Sequence, residues 1–158
     1  MNFYFDFVSL SISLMAVVVS LFGLSHNRIE AINAFFENDR SEALLKAREI
    51  VHNLEEGYDP FELMRNHGSE VAFLIISYNQ AAVLIQKCQL PFWIFSKQAS
   101  SGYAVIQFWE KLKPYVDLRR EGGESSDGEI KVYANPSYAN PFENLYRRIK
   151  TVYIKQGV

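Results

Sequence analysis

A single cysteine, Cys88, stands in 158 residues, so no disulfide can form within the chain and stability has to come from a packed core. A lone thiol also fits a reducing compartment. Lys and Arg are missing before Arg28, and no Asn-x-Ser/Thr acceptor occurs anywhere. The nucleophile-elbow pattern G-x-S-x-G and glycine-rich phosphate loops are absent, which removes the common hydrolase and nucleotide-binding signatures. His26, His52 and His67 lack zinc-ligand spacing. Glu49 and His52 form one E-x-x-H unit, whereas a di-iron bundle needs two such units and two further glutamates. No metal or cofactor is therefore expected. A formal net charge of −2 supplies no long-range attraction to nucleic acid, and none is expected as a partner.

What the chain does have is apolar mass. Hydrophobic residues make up 49% and charged residues 22%, a globular composition, and 12 Phe, 9 Tyr and 2 Trp predict a core built on large rings. The apolar residues are concentrated first in one uncharged run, Phe7 to Leu24. Its eleven Leu, Ile, Phe and Val residues contribute about −3 to −7 kcal/mol to membrane insertion, partly offset by four serines and a glycine. A helix of about 18 residues spans about 27 Å, close to the hydrocarbon thickness of a bilayer. Phe3, Tyr4 and Phe5 precede the run as interfacial rings.

The run reads as a transmembrane anchor. A secretory signal would open on Lys or Arg and end in small residues of the A-x-A type, and neither is present. A buried soluble helix is the other reading of so short and serine-rich a run. Arg28, Arg40, Lys46 and Arg48 follow the run and no cation precedes it, so the positive-inside rule places the N-terminus outside and the domain in the cytoplasm. That orientation corresponds to a single pass through the cell's inner (plasma) membrane. Within the run, Ser9, Ser13, Ala16, Ser20 and Gly23 alternate at spacings of four and three and share one helical face. Small residues allow close backbone approach, so this seam is a candidate for self-association.

The expected architecture is all-α: residues 1–36 form the transmembrane anchor and its helical extension, and 37–158 a small cytoplasmic helical bundle. Asp39 and Glu42 resemble a capping box opening a helix to about Leu54, which Gly57 is placed to end. Asp59, Pro60 and Glu62 start a short helix ending near His67-Gly68. Ser69 to about Gln89 is a central core helix, with Val71, Leu74, Tyr78, Ala81, Ile85 and Cys88 on its inner stripe. Ser77, Asn79 and Gln80 interrupt its apolar stretch, which argues against a second membrane span. Tyr103 to Arg120 is helical and should kink at Pro114. The Gly- and Ser-rich stretch near 121–132 reads as a mobile loop, with a possible strand from Glu129 to Ala134 lacking an obvious partner. Tyr133-Ala134-Asn135-Pro136 repeats as Tyr138-Ala139-Asn140-Pro141, and the second copy opens the last helix, with Asn140 as cap and Glu143 closing the box.

Trp109-Glu110-Lys111-Leu112-Lys113-Pro114-Tyr115 with Arg119, and Phe142-Glu143-Asn144-Leu145-Tyr146, are the most specific stretches. With Ala47-Arg48-Glu49-Ile50-Val51, the anchor and the central helix, they resemble a bacterial family of short, single-pass, membrane-anchored helical proteins of unknown function. Members carry a glutamate where this chain has Asn79 and a glycine where it has Gln89. The resemblance implies topology and an all-helical domain, and no reaction. Glu110, Arg119 and Glu143 belong to the matching stretches and form the candidate polar cluster, in which Arg119 is expected to pair with one of the acids. The expected function is a membrane-anchored module for protein interaction or self-association, with the bilayer and a protein partner or second copy as its partners. Regulation or sensing, in phage defence or stress, is an association only. The alternative is a tethered hydrolase using a carboxylate/arginine site.

Overall fold

The computed structural model describes residues 26–155, apart from 27, 88 and 96–100. The anchor run, its Ser9, Ser13, Ala16, Ser20 and Gly23 seam, and Cys88 lie outside the described residues. The described chain is mostly helical. A first helix, α1, covers 28–39 and is followed by α2 (Glu42–His52), α3 (Pro60–Gln86), a 3₁₀ turn (Phe92–Phe95), α4 (Ser101–Glu121), strands β1 (Gly123–Glu124) and β2 (Lys131–Val132), and α5 (Asn140–Lys155).

Local chemistry sets most of the helix ends, though not always through the residues expected. Asp59 caps α3, its carboxylate accepting from Phe61 N–H at 2.9 Å with Pro60 in the first turn. Ser41, not Asp39, caps α2 through Leu44 N–H at 3.3 Å, because the Asp39 carboxylate is engaged by Arg48. Asn53 ends α2 rather than Gly57, whose φ of +79° serves the turn that follows. The short helix and the central helix meet at His67-Gly68 as expected, where His67 leaves helical geometry (φ −140°, ψ 21°), and run on across that kink as α3. Joined in this way, α3 is long and apolar enough to cross a membrane by length and composition. It packs between α2, α4 and α5 with Val71, Leu74, Ile75, Tyr78, Ala81 and Ile85 buried, which makes it the core helix of the bundle.

Tertiary packing matches the apolar stripes on the other helices. Val105, Phe108, Trp109, Leu112 and Val116 of α4 are buried, as are Phe142, Leu145, Ile149 and Tyr153 of α5. Tyr78 stacks on Phe142 at 4.9 Å, and Trp109 meets the same ring edge-on at 5.1 Å, so one aromatic cluster joins three helices. The α4 helix runs through Pro114 as a single element. Nearby, the Lys111 carbonyl accepts from Tyr58 O–H at 2.9 Å.

Two further expectations need correction. The stretch expected as an unpaired loop forms a hairpin in which Gly123 pairs with Val132 and Glu124 with Lys131. Gly122 permits it, since its φ is +78° and a Cβ there would lie 2.9 Å from the Val132 carbonyl. At the tip, Asp127 accepts from Ser125 O–H at 2.5 Å and Glu129 N–H at 3.1 Å, and Arg65 pairs with it from α3. The Ser125 bond, then Arg65 and the Glu129 amide, hold the Asp127 carboxyl well below the usual carboxylate range.

The second correction concerns the start of α5. Ala139, at φ 59°, occupies the cap position, and its carbonyl accepts the first intrahelical bond, from Glu143 N–H at 3.0 Å. Alanine has no side-chain acceptor to offer the orphan amides of that turn. Asn140 donates its N–H to Ser137 O at 3.2 Å, Pro141 has no N–H, and Phe142 N–H reaches Asn79 Oδ1 at 2.9 Å. The cap of the last helix thus comes from the middle of α3, 63 residues away.

Candidate functional site: the polar seam of the last two helices

Antiparallel packing of α4 on α5 places their polar residues along one seam. Glu110 Oε1 accepts from Lys150 Nζ at 2.8 Å and from Tyr146 O–H at 3.2 Å, and Lys150 also reaches the Tyr146 oxygen at 2.7 Å. The Glu110 carboxylate, then the Tyr146 oxygen, raise the Lys150 ammonium above its ordinary value. Trp109 stacks on Tyr146 at 5.7 Å, behind these groups.

At the other end of the seam, Arg120 gathers the start of α5. Its guanidinium bonds Glu143 Oε2 at 2.8 Å, the Tyr138 carbonyl at 2.9 Å and Asn140 Oδ1 at 2.9 Å. Both side chains of the Arg120–Glu143 pair are only about a fifth exposed, at 20% and 19%. Burial works to raise the Glu143 carboxyl and is outweighed by Arg120 and Arg147, so its pKa falls below the ordinary value. Asn140 and Glu143 are therefore bound to Arg120 and do not form the expected capping box.

The candidate cluster of Glu110, Arg119 and Glu143 does not assemble. Glu110 belongs to Lys150, Glu143 belongs to Arg120 and Arg147, and the Arg119 guanidinium lies over the Tyr138 ring at 5.0 Å. Glu143 and Lys150, the partner of Glu110, stand seven residues apart along α5, about 10 Å at 1.5 Å per residue. Arg120 has a sequence signal that points to it: it follows Trp109 by three helical turns and so shares its stripe. Nothing local marks Asn79 as a cap, because its partner is set only by packing.

A second polar group ties α1 to the bundle. Arg48 pairs with Asp39 and bonds Tyr78 O–H at 3.4 Å, with its Nε buried and unpartnered, and Asn38 Nδ2 donates to Ser77 Oγ at 3.4 Å. Burial pushes the Tyr78 phenol up to about 12 against the pull of Arg48. Phe35 of α1 meets Phe95 edge-on at 5.5 Å.

Depressions flank the 53–58 loop. One of about 460 Å³ is lined by Leu54, Tyr58, Tyr103, Ile106, Glu110 and Pro114 among others, and one of about 370 Å³ by Asn53, Glu55, Glu62 and His67 among others. Glu110 reaches the first already paired with Lys150. Lys111 closes the loop by donating to the carbonyls of His52 and, at 3.0 Å, Leu54. Among the described residues, no three His, Cys, Asp or Glu side chains converge as metal ligands. Compared with known proteins, the chain matches no family model, no curated protein and no solved structure.

Proposed function

We propose that the chain is a membrane-anchored helical module that works by binding a protein partner or a second copy of itself. In this reading Phe7–Leu24 spans the inner (plasma) membrane with its N-terminus outside, and the bundle lies in the cytoplasm. The observation that carries it is the fixing of α1, the helix that follows the apolar run, to the bundle through Asp39, Arg48 and Tyr78. A shift or rotation of the anchor would then move the bundle with it, as a regulatory or sensing component requires.

Self-association is assigned to the Ser9, Ser13, Ala16, Ser20 and Gly23 seam. The test is crosslinking of full-length protein in native membranes, comparing wild type with A16L/S20L. A crosslinked dimer lost in the variant, with membrane insertion retained, supports the reading. Unchanged crosslinking reduces the run to a tether.

A further inference from the structure

The two ends of the bundle differ in chemistry. At one end the 3₁₀ turn, the start of α4 and the end of α5 meet tightly. A Cβ on Gly102 would lie 2.3 Å from the Phe95 carbonyl and 2.7 Å from the Tyr153 hydroxyl. Beside these contacts, Trp93 is 61% exposed, Tyr103 55% and Ile154 64%. Arg148 lies over the Phe92 ring at 4.1 Å, and Lys87 is exposed at the end of α3. The opposite end, where α4 runs into the hairpin, exposes Asp59 and Glu62 at the start of α3, and Glu124 and Glu129 in the hairpin.

We infer that the aromatic, basic end of the bundle, centred on Trp93, docks on the anionic surface of the bilayer that holds the anchor; the inference rests on the anchored reading above. Two observations select lipid as the occupant. First, α1 packs on this end through Phe35 and Phe95, and the apolar run ends shortly before α1 begins. Phe35 follows Leu24 by eleven residues, and the headgroup layer is about 5–8 Å deep. Second, the charge asymmetry orients the domain, since anionic headgroups attract Arg148 and Lys87 and repel the acidic end. Trp and Tyr next to cations are the residues that settle at a headgroup boundary.

Only Trp93 and Trp109 fluoresce as tryptophan, and Trp109 is 4% exposed in the core, so emission can report this contact. Full-length protein is reconstituted in phosphatidylcholine vesicles containing phosphatidylglycerol, with and without lipids brominated high on the acyl chains. Docking predicts an emission loss of roughly a quarter or more with brominated lipid, abolished in W93F and reduced in R148E. Resistance to alkaline extraction reports the anchor separately. An extraction-resistant protein whose emission brominated lipid leaves unchanged overturns docking and leaves the anchor standing. Equal quenching in W93F also overturns it. So does Trp93 shielded from aqueous acrylamide but not quenched by brominated lipid, since that face would then be covered by protein. Extraction of the protein by alkali overturns both readings.

Discussion

Replacing Asn79 with Ala should weaken the last helix from a distance. The Asn79 Oδ1 atom accepts the one first-turn amide of α5, that of Phe142, that neither the local turn nor proline accounts for. Phe142 is fully buried at 0% exposure, so water cannot replace the lost acceptor without disturbing the aromatic cluster. Loss of a helix cap costs about 0.5–2 kcal/mol, and leaving a buried donor unpaired costs about 1–3 kcal/mol. These overlap, and we expect about 1.5–2.5 kcal/mol in total. For a domain of this size that lowers Tm by about 4–8 °C, measured by circular dichroism on detergent-solubilised full-length protein. N79D keeps the acceptor and places a negative charge at a helix N-terminus, favourable by about 0.3–1 kcal/mol, so it should unfold at or above the wild-type temperature. Amide exchange at Phe142 should quicken in N79A alone. Wild-type stability in N79A with unchanged exchange at Phe142 would refute the capping argument, as would equal losses in N79A and N79D.

Three further outcomes are expected. Because Arg48 and Asp39 are only 22% and 27% exposed, D39A should cost about 1–3 kcal/mol and exceed R48M, which removes the buried charge itself; exchange across 28–39 and thermal unfolding measure both. Burial holds the Tyr78 phenol near 12 against an ordinary value of 10, so the folded state keeps this proton more tightly than the unfolded chain. Its contribution is fully present below about pH 10 and is lost between about pH 10 and 12, by up to about 2–3 kcal/mol, and Y78F should flatten that loss in alkaline unfolding. G102A should destabilise by more than about 2 kcal/mol, since the new methyl meets the Phe95 carbonyl, which belongs to backbone and not to a flexible side chain; an unchanged Tm would show that the 3₁₀ turn gives way.

What the sequence determined by itself was periodic or local. Stripes at helical spacing fixed the buried faces of α3, α4 and α5, because one face of a helix must lose water for the domain to fold. Asp59-Pro60 opened α3 because both residues act within one turn. The break at His67-Gly68 was equally local, whereas giving Glu129–Ala134 a partner in Gly123–Glu124 depended on contacts between segments. The candidate site divided in the same way. Glu110 and Glu143 were visible as polar positions on packed helices, but their partners, Lys150 and Arg120, were chosen by how α4 crosses α5. Asn79 is the clearest case: an amide in the middle of one helix gained its role only when packing brought the uncapped start of another within 2.9 Å.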